Sequence, residues 1–287
     1  LQRNFPIILF FFLFFIGLAV MLYPTIVSMM NANASDQVIE EYEASATNYS
    51  NNENEALLEA AKVYNASLTP HTITDMFTNP QDESVEYQNI LNVDQKGVMG
   101  YISIPKIDVK LPIYHGTSAK VLQKGVGHVE GSSFPIGGSS THAILSAHRG
   151  LPSARLFTDL NQLQIGDMFF IYILDEVLAY QVDQIVTIEP DDTSELVLQE
   201  GQDYVTLVTC TPYAINTHRL LVRGRRVAYD QAVVVNTKVE KTLAASDYIF
   251  YVGIVAAFLL LGGALLLQHQ MKKKAEYNKE IEELEII

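Results

Sequence analysis

Two charge-free apolar runs bracket this chain and decide where folding can take place. The first, Phe5 to Tyr23, is 19 residues long, and the second, Tyr248 to Leu267, is 20. As helices rising about 1.5 Å per residue, each reaches roughly 30 Å, the hydrocarbon thickness of a bilayer. Neither carries the polar stripe that a helix on a globular surface needs. The sequence therefore predicts a transmembrane helix at each end. Arg3 precedes the first run, and Lys272, Lys273 and Lys274 follow the second. Cytoplasmic flanks carry the Lys/Arg excess, so both termini are expected inside the cell membrane and residues 24–246 outside it. The small-residue triplet Ala32-Asn33-Ala34 leaves a cleaved signal as the alternative to an N-terminal anchor.

The formal net charge of −14 speaks against nucleic acid, which needs a basic face. One cysteine, Cys210, cannot close an intramolecular disulfide, so in an exported chain it either pairs between chains or stays a free thiol for a reason. No H-E-x-x-H or C-x-x-C spacing occurs, and neither a metal nor a cofactor is expected.

Residues 35–66 read as helix, with Ser35 or Asp36 as its cap. Val38, Ile39 and Tyr42 recur at helical spacing. The polar break Asn48-Tyr49-Ser50-Asn51-Asn52 precedes a second helix, whose apolar face is Ala56, Leu57, Ala60, Ala61 and Tyr64. Thr69-Pro70 ends it. Residues 70–95 show no periodicity, as in a functional flap or a linker. Beyond Val98 the pattern alternates as strands do. Candidates are Tyr101–Ile104, Val109–Tyr114, Ile144–Ala147, Met168–Ile173, Tyr180–Ile188, Tyr204–Thr209 and Leu220–Val227, with Gly and Pro between them. Seven or eight short strands with few helices predict a closed or nearly closed β-barrel.

Cys210 ends the run Tyr204–Thr209, and Pro212 cuts that strand just beyond it. A thiol so placed sits at a sheet edge or mouth, although most cysteines are simply small buried apolar residues. Arg219 opens the next strand nine residues on, so a short loop brings the two together. His148 stands at another strand end, in Leu145-Ser146-Ala147-His148-Arg149-Gly150. His218 competes as a base, but as Arg219's neighbour on an extended chain it points the other way. His115, His128 and His142 are weaker competitors. The residue types suit acyl transfer. A thiolate attacks, a histidine moves protons, and an arginine that never deprotonates steadies an oxyanion.

Thr206-Leu207-Val208-Thr209-Cys210, with Arg219 nine residues on, resembles the sortase signature. The stretch Gly100 to Gly116, the pair Gly127-His128 and the run Ser146 to Arg149 are similar to the same family. The resemblance covers about residues 98–228. It implies a mainly β fold: an eight-stranded sortase-type β-barrel with an N-terminal helical extension and a transmembrane helix at each end. It also implies catalytic roles for His148, Cys210 and Arg219. Paired membrane segments look like class C, the pilus-assembling kind, in which an Asp-Pro-aromatic lid plugs the site. Here Asp75 and Phe77 match that lid, while Met76 stands where Pro is usual.

The expected organisation is an anchor or signal at 1–23, a helical region at 24–69 and a lid and linker at 70–97. The catalytic barrel follows at 98–230, a tether at 231–246, a transmembrane helix at 247–268 and a cytoplasmic tail at 269–287. The resemblance implies a cysteine transpeptidase that cleaves an LPXTG-like motif between Thr and Gly. The acyl group then passes from Cys210 to a lysine amine of another pilin subunit. Attachment of surface proteins to peptidoglycan is one alternative. A membrane-tethered binding domain with a passive Cys210 is another.

Overall fold

The computed structural model describes residues 5–69, 77, 84–93, 95–229 and 245–285. Two compact units result, Thr25–Val239 and a second made of Leu1–Pro24 with Glu240–Ile287.

The second unit contains the apolar parts of two long helices, α1 (Phe5–Thr47) and α5 (Ala245–Glu285). Both are long and apolar enough to cross a membrane. Phe12, Leu13, Phe15 and Val20 of α1 turn outward, as do Val252, Val255 and Leu260 of α5. A hydrocarbon phase would solvate such side chains; water would not. The predicted tether lies mostly outside the described residues.

Within the first unit, α1 continues to Thr47 without a break, so neither Ser35 nor Asp36 caps a helix start. Ser35 is instead buried on the helix side. Ile39, Tyr42 and Ala46, at spacings of three and four, form the docking face against Val98, Tyr101 and Tyr114. The Tyr42 hydroxyl donates to Met99 O (3.0 Å) and accepts from Leu174 N (2.8 Å). Helix α2 (Asn51–Ser67) opens on a capping box in which Ser50 and Glu53 satisfy one another's backbone N–H groups. Asn65 ties α2 to the barrel by a two-way bond. Its amide donates to Phe134 O (3.1 Å), and its Oδ1 accepts from Phe134 N (2.7 Å). The aperiodic stretch holds a short helix, α3 (Val85–Asn89), capped by Ser84 and not expected from the sequence.

Eight strands close into a barrel in the order β1-β2-β3-β4-β7-β8-β6-β5. They are β1 (Val98–Ile104), β2 (Val109–His115), β3 (Val126–His128), β4 (Thr141–Ser146), β5 (Met168–Ile173), β6 (Glu176–Ile188), β7 (Asp203–Thr211) and β8 (His218–Val227). A short helix, α4 (Ala119–Leu122), joins β2 to β3. Most neighbours are antiparallel, but β2 with β3 and β4 with β7 run parallel. Closure leaves no sheet edge to pair with another chain.

Alternation sorts the side chains. Ala143 and Leu145 of β4, Val205 and Leu207 of β7, and Leu220 and Val222 of β8 join Phe169, Ile171 and Tyr180 in the interior. Gly224 permits this filling, because a Cβ there would collide with the Phe169 ring. The opposite parity gives a separate apolar cluster outside the barrel wall: Val129, Ile144, Ile188, Leu196, Val208 and Leu221.

Candidate active site

The candidate residues of the sequence meet on the outer side of β4, β7 and β8, and the pairing register shows how. Ser146 of β4 lies opposite Val208 of β7, Val208 opposite Leu221 of β8, and Leu221 opposite Val186 of β6. Two residues further along, Cys210 faces Arg219 directly, and Arg219 faces Ile188. The parallel β4–β7 ladder extends one step past Ser146, since Ala147 N donates to Val208 O (3.1 Å). The Thr209 hydroxyl reinforces it by donating to Ala147 O (2.7 Å). His148, two residues beyond Ser146, therefore comes alongside Cys210, which is two beyond Val208. Cys210 and Arg219 sit side by side on β7 and β8, and His148, two residues past the end of β4, comes up on the other side of the thiol.

Phe77 lies over these residues. Its ring is 5.7 Å from the His148 ring, centroid to centroid, and the Arg219 guanidinium carbon is 5.1 Å from its centre. The same ring packs on the outer apolar cluster. Asp75 lies outside the described residues. Beneath this cover Cys210 is 7 % exposed and Arg219 is 4 % exposed. Arg219 Nη1 also donates to Asn216 O (3.2 Å) and His218 O (3.1 Å), which draws the β7–β8 loop around it. His148 is half-buried, and this loss of water holds its imidazole below the ordinary histidine range, favouring the neutral ring.

Residues 102–227 match the Sortase domain family. The chain is 32% identical to sortase D of Bacillus subtilis over 131 residues, 45% of this chain and 63% of that protein. It therefore spans less than two thirds of that relative's length. Among solved structures it is similar to Streptococcus pneumoniae sortase C, a protein discussed for its catalysis and pilin substrate specificity. The identity is 49%, covering 67% of this chain and 97% of that one, with a TM-score of 0.63. Sortase C1 of Streptococcus agalactiae is 51% identical over 68% of this chain and all of that one, with a TM-score of 0.62.

The chain belongs to the sortase family. In this sortase the four histidines that compete with His148 in the sequence are engaged elsewhere. His218 turns to Glu189 (3.1 Å) and Thr217 (2.9 Å). The His115 ring nitrogens lie 2.7 Å from Ile90 O and 3.1 Å from Gly97 O. His142 meets Thr206 Oγ1 (2.7 Å) and Val197 O (3.0 Å), and burial pushes its pKa down to about 4. His128 is fully enclosed between Tyr87 and Phe134, and burial lowers it to about 3.

Sequence reasoning assigned no role to Arg149, which clamps the sortase site from outside. It donates to Thr158 O (3.1 Å), Thr211 Oγ1 (3.1 Å) and Asn161 Oδ1 (2.8 Å), so the loop after His148 is fastened to the end of β7. Its place in the family-like run Ser146 to Arg149, next to His148, was the signal for it in the sequence. Among the described residues, no group of three His, Cys, Asp or Glu side chains is arranged to hold a metal ion.

Proposed function

We propose that this sortase is a pilin-polymerising cysteine transpeptidase. Cys210 Sγ attacks the Thr carbonyl of an LPXTG-like sorting motif. Arg219 donates to the oxyanion that forms. As the Thr–Gly C–N bond breaks, His148 protonates the departing glycine amine, leaving a thioester on Cys210. A lysine amine of the next pilin subunit then attacks the thioester and gives its proton to His148, and the sulfur leaves. One amide is exchanged for another, so no ATP is consumed.

The meeting of Cys210 and Arg219 on β7 and β8 with His148 just past the end of β4 carries this reading. Similarity to sortase C along 97% of the Streptococcus pneumoniae structure supports pilin as the substrate class. Phe77 is the guard of the resting enzyme. By excluding water it favours neutral His148, and its departure lets the imidazole take up a proton. The two apolar helices tether the barrel beside substrates that are themselves membrane-bound, with the barrel outside and both termini in the cytoplasm.

Mass spectrometry of the full chain mixed with a pilin bearing an LPXTG-like signal tests the proposal. The expected products are isopeptide-linked subunits and the released motif tail, both absent with Cys210→Ala. Linked subunits formed by Cys210→Ala would sink the mechanism. Conjugates to peptidoglycan peptides in place of pilin would move the assignment to wall anchoring.

A further inference from the structure

One side chain on the catalytic face has no explanation within the resting structure. Ser146 is fully buried, yet its hydroxyl has no hydrogen-bond partner among the described residues. Burying a hydroxyl without a partner is costly, and folded proteins rarely do it without a compensating use. Two other buried polar atoms share this condition, Asn54 Oδ1 on α2 and Arg226 Nη1 near the end of β8, and both lie away from the site. Ser146 lies next to it.

Its position is fixed by the ladders. Ser146 shares strand parity with Ile144 and His148, and its cross-strand neighbours are Gly127 and Val208. The row it opens continues through Val208, Leu221 and Val186, all apolar. Ile144, Val208 and Leu221 belong to the apolar cluster against which Phe77 packs. A phenyl ring offers no lone pair to a hydroxyl, so Phe77 packing on this cluster supplies Ser146 with no conventional hydrogen-bond partner.

We propose that Ser146 is a substrate-positioning residue whose hydroxyl donates to a backbone carbonyl of the sorting-signal peptide once Phe77 has left. This rests on the transpeptidase reading above. Adjacent rows on one face of a strand are two residues apart, roughly 6.6 Å. An extended peptide covers the same distance in two residues. With the scissile carbonyl at Cys210, Ser146 meets the peptide about two residues to its N-terminal side. The acyl side is chosen because the apolar floor suits the Leu-Pro portion of the motif. The bond would hold the acyl segment in register without touching the reacting atoms.

The test uses the detergent-solubilised full chain and a fluorogenic LPXTG peptide, comparing wild type with Ser146→Ala and Ser146→Thr. Ser146→Ala is expected to lower kcat/KM about five- to twentyfold, mainly through KM, as loss of a binding hydrogen bond does. Its Tm should be unchanged or higher, because an orphaned hydroxyl has been removed. Ser146→Thr restores the hydroxyl and should recover most of the loss. Wild-type kcat/KM in Ser146→Ala overturns the proposal, as does a fall in Tm that parallels the fall in turnover. If wild type itself neither cleaves the peptide nor forms a thioester, the transpeptidase reading fails too, which separates that failure from failure at Ser146 alone.

Discussion

Removing the Phe77 ring should expose the thiol. The ring is partly buried on the outer apolar cluster, so truncation forfeits roughly half of the ~1.5–3 kcal/mol gained by burying a whole phenylalanine. It also loses the stacking of the Arg219 guanidinium at 5.1 Å, about 0.5–1 kcal/mol at a partly exposed site. Together these contribute about 2 kcal/mol to the closed state. At ~1.4 kcal/mol per tenfold, Phe77→Ala should raise the open population about 30-fold. Cys210 is only 7 % exposed when covered, so alkylation by a small uncharged reagent proceeds through the open state. The labelling rate, followed by intact mass, should rise by the same factor as long as opening and closing are faster than alkylation. A rate within twofold of wild type would refute the idea that this ring controls access.

Arg219→Lys keeps the charge but loses the planar fork, and kcat/KM should fall about 100-fold or more in a peptide-cleavage assay; near-normal turnover would mean that charge alone suffices. Tyr87 bonds His128 O (3.0 Å) and accepts from Gly116 N (3.0 Å), so Tyr87→Phe orphans buried groups and should cost ~1–3 kcal/mol in urea unfolding; an unchanged midpoint would argue against this anchor. Both His128 and His142 have pKa values depressed by burial, to about 3 and about 4, so the unfolded chain takes up their protons first as the pH falls. Their contribution is complete above pH ~6.5 and is lost progressively below it, on the order of 3 kcal/mol per ring by pH 4. Replacing His142 with Gln should flatten this acid limb in denaturation curves, and an identical limb would show that His142 does not govern it.

Much of the barrel was legible because its strands alternate, as Tyr101–Ile104 and Tyr204–Thr209 do. Strand β3 was not: three residues with Gly127 at the centre are too few for a period to show. Helix α3 escaped for the same reason, although Ser84 is an ordinary cap. The expected start at Ser35 or Asp36 was a local signal overridden by continuity. Pro24 is accommodated within α1, and no Gly or second Pro follows before Thr47. At the site, Cys210 and Arg219 are joined by a short loop, so their pairing follows from local geometry. The approach of His148 depends on parallel pairing between strands some sixty residues apart, a non-local event that no spacing rule reveals. Only the family resemblance tied it to the thiol. The unsatisfied Ser146 hydroxyl has no sequence signature, because its state depends on what lies over it.

The seam between β7 and β8 has a consequence for how such a protein can change. Cys210 and Arg219 are hung on one backbone ladder, which sets their separation, and His148 follows two residues past the end of β4. The loop from Pro212 to Thr217 and the turns after His148 lie outside that ladder. Substitutions there can reshape the rim while the spacing of Cys210 and Arg219 stays constant. Grafting rims between such barrels should transfer partner preference without rebuilding the chemistry beneath.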